Sequence, residues 1–195
     1  MKKLKLEVQL SIDGFVADPK GDTNWMVWDW KPDWNWDEEL QKYHIDLHRS
    51  SDTILLGRKM AVTGFFEHWE QVAAKPDDPQ YAFAKPITEM KKYVFTKTLQ
   101  KSKWKNTELI KGNFVDAIKR LKKKSGKDII VYGGASFVAS LIKAQLIDEY
   151  HLLINPAILG KGTAIFKTIS DMESLSLVNA RAFSCAVVAV QYNKR

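Results

Sequence analysis

Cysteine is almost absent from the sequence, since Cys185 is the single one among 195 residues. One thiol cannot build a disulfide framework or a cysteine-based zinc site, so both classes of protein are excluded. The flanking residues 183–188 are largely apolar and typical of a strand. We therefore expect Cys185 to be a small buried side chain and not a nucleophile.

Long apolar runs are also missing. No stretch approaches the roughly 20 apolar residues that are needed to span a bilayer. Residues 1–7 carry lysines, but no apolar region follows them as it would in a signal peptide. We therefore expect a cytoplasmic protein without a membrane partner. Repeats, low-complexity tracts and flexible linkers are absent too, which favours a single domain over residues 1–195.

Positive charge and tryptophan are in excess. The 30 Lys and Arg residues outnumber the 23 Asp and Glu residues and leave a net charge of +7. This balance favours an anionic partner, such as nucleic acid, an acidic membrane surface or a phosphorylated small molecule. No nucleic-acid-binding module is recognisable, and Lys122 to Lys124 close a predicted helix, where solvated lysines suit the helix dipole. A small molecule is therefore the expected partner.

Hydrophobic periodicity predicts strands that alternate with helices and then strands alone. The predicted strands cover residues 4–10, 53–57, 92–96, 108–110, 128–132, 149–154, 175–182 and 186–192. The predicted helices cover residues 37–48, the segment between a cap at Asn113 and a stop at Gly126, and residues 137–145. For residues 58–86 we expect only a helical turn after Gly57 and a loop around residues 75–79. This order predicts an α/β fold whose sheet is mostly parallel, with an antiparallel C-terminal hairpin.

Three predicted strands end in residues that suit phosphate groups. In open α/β sheets, ligands bind outside the carboxyl ends of the strands. Cations, hydroxyl groups and glycine-rich helix starts follow these ends, although each alone would also fit an ordinary turn or a solvated charge pair. No Gly-x-Gly-x-x-Gly fingerprint or P-loop is present. The prediction of a nucleotide with several phosphates therefore depends on finding such residues at all three strand ends together. The residues are Gly57, Arg58, Lys59, Thr96, Lys97, Gly133, Gly134, Ala135 and Ser136.

An ordered set of motifs resembles the dihydrofolate reductase-like superfamily. The motifs occupy residues 11–17, 21–25, 54–59, 94–97, 129–134 and 159–162. Residues 148–162 are especially similar to the RibD C-terminal domain family, the reductase domain of riboflavin biosynthesis. The resemblance extends from Lys3 to Tyr192 and implies a single-domain, doubly wound mixed sheet.

The resemblance also implies that NADPH binds in an extended pose across the strand ends. Gly57, Arg58 and Lys59 would lie at its phosphates, and Thr96 and Lys97 near the adenosine 2′-phosphate. Gly133, Gly134, Ala135 and Ser136 would face the pyrophosphate, and Ala17 with the loop to Asp22 would border the nicotinamide.

The activity implied by the resemblance is that of an NADPH-dependent oxidoreductase. It is most like 5-amino-6-(5-phosphoribosylamino)uracil reductase, which transfers a hydride to a pyrimidine or ribosylamino-type substrate. A dihydrofolate or pterin reductase is an alternative, and so is a non-catalytic NADP(H)-binding protein of the same fold. Relatives of the riboflavin branch are usually dimeric, so a homodimer is expected.

Reduction also requires management of a proton, for which a carboxyl group is the usual choice. Glu39 has a spacing similar to the acid of dihydrofolate reductases, although acids at residues 37–39 would also favour a helix N-terminus by charge alone. Asp13 is the rival, and its alternative role is to hydrogen-bond a turn. Asn24, Trp25 and Asp37 are expected to contact the substrate.

The tryptophan-rich residues 27–36 depart from the family pattern. Their rings would stack on a planar heterocycle, form a lid, pack against another subunit or form a separate hydrophobic cluster. A second isolated feature is the pair His44 and His48, which lie four residues apart and would share one face of a helix. They lack a His-Glu-x-x-His motif and a third ligand nearby, so we expect two surface histidines and no metal site.

Overall fold

The computed structural model describes residues 1–195 and contains ten strands and six helices. The strands are β1 (Leu4–Leu10), β2 (Phe15–Ala17), β3 (Ser51–Gly57), β4 (Lys91–Phe95), β5 (Thr107–Ile110), β6 (Asp128–Val131), β7 (Glu149–Ile154), β8 (Thr163–Ala164), β9 (Leu175–Ala182) and β10 (Val188–Lys194). The helices are α1 (Glu38–Arg49), α2 (Arg58–Val62), α3 (Phe65–Ala73), α4 (Tyr81–Glu89), α5 (Phe114–Lys122) and α6 (Ala135–Lys143). None of the helices is long and apolar enough to cross a membrane.

Eight strands form one sheet in the order β5-β4-β3-β6-β1-β7-β10-β9, and β2 pairs with β8 separately. The strands from β5 to β7 are parallel, whereas β10 and β9 are antiparallel to their neighbours. The predicted α/β fold, with its mostly parallel sheet and antiparallel C-terminal hairpin, is thus confirmed. Because β6 lies between β1 and β3, the chain winds outward in both directions from β1, and a crevice is expected at the carboxyl ends of β1 and β6.

The two faces of strand β1 carry different side chains, apolar on one face and charged on the other, and each face packs against a separate core. Leu4, Leu6 and Leu10 are buried in the core that includes α5 and α6. The alternate residues Lys5 and Glu7 are buried as well, although they are charged. Since successive side chains of a strand point to opposite faces, these polar groups lie on the side of the sheet that α1, α3 and α4 cover.

The start of α1 follows directly from local sequence. Asp37 is the N-cap, and its carboxylate accepts a hydrogen bond of 2.9 Å from the backbone N–H of Leu40. Glu38 and Glu39 lie in the first turn, where negative charge is favourable. Helix α5 begins in the same way, because the side chain of Asn113 accepts from the N–H groups of Val115 and Asp116. The predicted bounds of α1 are correct to within one residue.

Four local predictions were wrong. The predicted loop at residues 75–79 is present, but the helices on either side of it, α3 and α4, were not predicted; their apolar faces pack into the core even though Pro86 lies inside α4. Helix α6 begins at Ala135, two residues earlier than predicted. Cys185 lies in the turn before β10 and is half-buried, and Ala186 has a left-handed φ of 65°. Lys122 is buried, with its ammonium group donating to the carbonyl of Leu146 at 2.7 Å.

The tryptophan-rich segment is mainly part of the core. Trp28, Trp34 and Trp36 are exposed by 1%, 8% and 3% and pack with Trp69 and Phe83. The rings of Trp28 and Trp36 meet edge to face, with their centroids 4.9 Å apart. Of the alternatives for this segment, a hydrophobic cluster is right for these three rings, but the cluster belongs to the main core on the α1 side and is not separate from it.

Candidate functional site

A cleft of about 240 Å³ opens at the carboxyl ends of β1 and β6, the place that the topology favours for a ligand. One wall consists of the turn from β6 into α6, and the opposite wall consists of β2 and the loop that follows it. The lining residues are Val8, Gln9, Val16, Ala17, Thr23, Met26, Asp29, Trp30, Gly133, Gly134, Ala135, Val138 and Ile165. Four of the predicted cofactor residues, Ala17, Gly133, Gly134 and Ala135, are therefore brought together here.

The glycine wall of the cleft requires glycine at Gly134. A Cβ atom on Gly133 would meet only the flexible end of the Met60 side chain, which can move aside. Gly134 has a left-handed φ of +79° and is the N-cap of α6, without any side-chain cap. The first N–H groups of a helix have no partner within the helix, so those of α6 are available to an anion. A Cβ atom on Gly134 would also lie 3.9 Å from the Cα of Gly57, so the ends of β3 and β6 approach closely.

The predicted cations lie at the same edge of the sheet but outside the cleft lining. Arg58, Lys59 and Lys97 are exposed, and their side chains take part in no ion pair or hydrogen bond. Thr96 is buried, and its hydroxyl oxygen accepts hydrogen bonds from the N–H groups of Thr98 and Leu99. Thr96 thus shapes the turn that presents Lys97. Ser136 is exposed in the first turn of α6, and Gly57 is buried against Phe137.

The acids that were expected to be catalytic have other partners. The side chain of Glu39 is 69% exposed and pairs with Arg181 at 2.5 Å. Asp13 accepts hydrogen bonds from the Ser11 hydroxyl and from the N–H groups of Leu159 and Gly160. The bond from Ser11, followed by those from the two backbone groups, holds the pKa of Asp13 below its usual value. The structure places neither acid on the cleft.

None of the expected substrate residues lines the cleft. Asn24 is exposed, and the indole N–H of Trp25 donates to the carbonyl of Asp22 at 3.2 Å. Asp37 caps α1 and also accepts from the Ser184 hydroxyl at 2.8 Å. Thr23 and Met26, the chain neighbours of Asn24 and Trp25, line the cleft instead.

Asp29 and Gln9 are cleft residues that sequence reasoning missed, whereas Trp30 belongs to the tryptophan-rich segment, for which stacking on a planar heterocycle was one expectation. Asp29 is the one carboxylate of the cleft lining, and the Thr23 hydroxyl donates to it at 2.5 Å. The amide of Gln9 donates to the carbonyl of Trp28 at 2.9 Å and so anchors the loop. A polar residue between Val8 and Leu10 at the carboxyl end of the first predicted strand was the available signal for Gln9. Asp29 lies in an irregular loop, where no periodicity of the sequence predicts the direction in which its side chain projects.

An inner cavity of about 50 Å³ adjoins the cleft and shares Gln9 and Trp30 with it. Its polar lining includes Glu7, His44 and Tyr132, and its apolar lining includes Trp28, Trp36, Trp69, Phe83 and Leu153. The prediction of two surface histidines was wrong, because His44 and His48 are 5% and 0% exposed. The packing of α1 against β1 supplies the neighbouring acid that was not visible in the sequence, since the carboxylate of Glu7 contacts both rings.

Burial is the main cause of the pKa shifts of Glu7, His44 and His48. It raises the pKa of Glu7 to about 6, and it lowers the pKa values of His44 and His48 to about 3 and about 4. Each shift has the same physical cause, which is that the charged form loses its hydration in the interior.

A groove of about 420 Å³ lies on the other side of α1 and contains Glu39. It is larger than the cleft, but it is distant from the glycine turn, and its charged side chains are occupied by one another. The pairs are Glu39 with Arg181, Lys42 with Asp46, and Glu149 with His151. The cleft at the strand ends is therefore the better candidate for a ligand site.

Comparisons with known proteins show which family the chain resembles. The RibD C-terminal domain family matches residues 2–189. The uncharacterized protein YyaP of Bacillus subtilis (strain 168) is 34% identical over 194 residues, which cover 98% of this chain and 95% of YyaP. The uncharacterized protein YwjB of the same organism is 26% identical and covers 95% of both chains.

Solved structures show the same fold at low sequence identity. A pyrimidine reductase-like protein of Corynebacterium diphtheriae has a TM-score of 0.62 at 14% identity, with 100% of this chain and 92% of that chain covered. A diaminohydroxyphosphoribosylaminopyrimidine deaminase/5-amino-6-(5-phosphoribosylamino)uracil reductase of Thermotoga maritima has a TM-score of 0.67 at 17% identity, and the match covers 100% of this chain and 57% of that one.

Proposed function

The chain belongs to the RibD C-terminal domain family, and on that premise we propose that it is an NADPH-dependent reductase. Its substrate would be a pyrimidine or ribosylamino-type compound like that of 5-amino-6-(5-phosphoribosylamino)uracil reductase. The observation that carries the proposal is the convergence of two glycine-led helix starts, at Gly57 and Gly134, on the edge of the cleft. That cradle has the shape and the N–H donors that suit a dinucleotide pyrophosphate.

The residues at this edge fit NADPH group by group. The backbone N–H groups of Gly134, Ala135 and Ser136 would bind the pyrophosphate at the start of α6. Arg58 and Lys59 would lie beside the same phosphates, and Lys97 would pair with the adenosine 2′-phosphate. The lack of any partner for these three cations within the protein supports this assignment. Ala17, which lines the opposite wall, would border the nicotinamide.

When bound, NADPH supplies the hydride, so the protein must orient the acceptor and manage a proton. Trp30 offers an aromatic surface to a planar ring, and Gln9 holds the loop that carries Trp30 through its bond to the Trp28 carbonyl. Asp29 is placed better than Glu39 or Asp13 to hold a proton or to bind a ring N–H, because it alone among the three lines the cleft. We therefore assign the management of the proton to Asp29 instead of Glu39 or Asp13.

Cofactor binding is tested by titrating the protein with NADPH and NADH while the quenching of tryptophan fluorescence is recorded. Lys97→Ala should weaken NADPH binding by about tenfold, since one charge-assisted contact of about 1.4 kcal/mol is lost, and leave NADH unchanged. The matched control is Lys119→Ala, which removes an exposed, unpaired lysine from α5. Equal effects on both cofactors would refute the 2′-phosphate assignment, and absence of any quenching at millimolar NADPH would refute the function.

Substrate choice is tested by following NADPH oxidation with the ribosylaminopyrimidine and with dihydrofolate. We expect turnover with the pyrimidine and its loss in Asp29→Asn. Turnover with dihydrofolate alone would support the pterin reductase alternative. Cofactor binding without turnover of either compound would support a non-catalytic NADP(H)-binding protein.

A further inference from the structure

The cluster of Glu7, His44 and His48 lies under the tryptophan-rich core and has no role in the proposed reaction. Glu7 extends from the middle of β1, and the two histidines lie one turn apart on α1. All three residues are buried, with exposures of 3%, 5% and 0%. One ligand-type atom from each lies within 4.8 Å of the others.

The hydrogen bonds of His48 define which of its nitrogens carries a proton. Its Nδ1 atom lies 2.8 Å from the carbonyl oxygen of His44, and a carbonyl can only accept. Nδ1 must therefore donate, which leaves the lone pair of the neutral ring on Nε2. A histidine that ligates a metal ion commonly has this arrangement, because a hydrogen bond from its second nitrogen to a carbonyl orients the ring.

The lone pair of His48 Nε2 faces another acceptor. It lies 3.4 Å from Oε2 of Glu7, and neither atom has a hydrogen-bond partner. Two acceptors that face each other in a dry interior repel each other and lose their hydration. A positively charged species between them would remove both costs.

The surrounding atoms can complete a coordination sphere. The Oε1 atom of Glu7 contacts Nδ1 of His44, which orients the carboxylate, and Nε2 of His44 has no partner. The adjoining cavity of about 50 Å³ has room for a water molecule, and the buried Tyr132 hydroxyl, also without a partner, lines that cavity. Two imidazoles and one carboxylate with an open position suit zinc and similar divalent transition metals.

We propose that Glu7, His44 and His48 form an interior binding site for one divalent transition-metal ion. The site is independent of the proposed reductase function, because none of its three ligands belongs to the cofactor wall of the cleft. The competing occupant is a single proton between Glu7 Oε2 and His48 Nε2. The two differ in that only a metal site responds to added cations.

The test uses chelator-treated full-length protein titrated with Co²⁺ and, separately, with Zn²⁺. With Co²⁺ we expect the visible absorption bands of a low-coordinate nitrogen–oxygen site, saturating at one ion per chain. With Zn²⁺ we expect a rise in the melting temperature. Absence of both signals in the wild-type protein would overturn the proposal in favour of the proton.

The variant Glu7→Gln distinguishes metal binding at this site from adventitious binding elsewhere on the protein. The amide has the size of the carboxyl group and can donate to His48 Nε2, so the variant should fold without metal. We expect its Co²⁺ bands to be absent and its Zn²⁺ affinity to fall by at least about 100-fold. The control His68→Gln changes a half-buried histidine outside the cluster and should retain both signals.

Two outcomes would assign the bound ion to another place and refute the site. One is persistence of the bands in Glu7→Gln, and the other is their loss in His68→Gln. Should Glu7→Gln fail to fold, His48→Gln provides the same comparison from the helix side. NADPH binding by the chelator-treated protein, measured in parallel, keeps this result separate from the cofactor proposal.

Discussion

At the scale of single residues, charges buried on the α1 side of the sheet are held by specific hydrogen bonds. Glu149 of β7 accepts from Nε2 of His151 at 2.7 Å, from the Gln191 amide at 3.0 Å and from the Lys3 ammonium group at 3.1 Å. Because a carboxylate only accepts, His151 carries its proton on Nε2, and its Nδ1 accepts from the Tyr43 hydroxyl. The carboxylate of Glu149 is thus stabilised in its charged form.

These bonds give Glu149 a measurable influence on acid stability. The hydrogen bond from His151, with those from Lys3 and nearby charges, lowers the pKa of Glu149 from 4.5 to about 2. The folded protein then binds the proton less readily than the unfolded chain, so the stabilisation is complete above pH 4.5 and is lost as the pH falls toward about 2.

We expect the wild-type protein to lose stability relative to Glu149→Gln across that interval, as measured by urea unfolding at a series of pH values. The control Glu38→Gln alters an exposed acid without a side-chain partner and should run parallel to the wild type. A difference between wild type and Glu149→Gln that stays constant with pH would contradict the assignment.

Single residues also show how far the sequence can be interpreted. Asp37 is recognisable as a helix cap because its partner Leu40 is three residues away. Gly134 is recognisable because it lies between a β-branched strand and a helix. The partner of His44 is Glu7, 37 residues away on another element, and no local pattern encodes that contact. The glycine turn that forms one wall of the cleft was therefore predictable, whereas the buried cluster and the opposite wall, with Asp29, required the fold.

At the scale of elements, the cleft depends on two loops that hold each other. Asp13, in the loop after β1, accepts from the N–H groups of Leu159 and Gly160, which precede β8. Beside this contact β2 pairs with β8, with Ala17 opposite Thr163. Because Ala17 also lines the cleft, the position of the cleft wall is determined by the segment that follows β7.

Gly162 is the residue at which this dependence is tested. A Cβ atom there would lie within 3.0 Å of the carbonyl oxygen of Ala17, so the backbone of β2 would have to move. We expect Gly162→Ala to reduce stability by about 1–3 kcal/mol, through overpacking, and to weaken NADPH binding. The control Lys161→Ala changes the exposed neighbouring residue. Unchanged NADPH affinity in a destabilised Gly162→Ala protein would show that β2 does not shape the site.

At the scale of the whole molecule, β9 is the more apolar of the two edge strands of the sheet, β5 and β9. Strand β9 pairs only with β10 and exposes Leu177 and Val178 by 61% and 50%. Apolar side chains on an unpaired edge strand favour association with another chain. This feature supports the homodimer that the resemblance implies.

We propose that β9 lies in the dimer interface, and Leu177→Lys tests it by light scattering after size exclusion. The wild-type protein should elute as a dimer and the variant as a monomer, because the interface would have to bury the added charge. Met172→Lys is the control, since Met172 is 90% exposed and lies outside the strands. A monomeric wild type, or a variant that remains dimeric, would contradict the proposal.

The central position of β1 also constrains how the chain can fold during synthesis. Leu4 pairs with Ile129 of β6, and Lys5 pairs with Glu149 of β7, so both neighbours of the first strand come from residues 128–154. A nascent chain emerging from the ribosome must carry β1 without either neighbour while the intervening residues are made. Because contacts of such long sequence separation form late, we expect the apolar face of β1 to be a principal binding site for chaperones during translation.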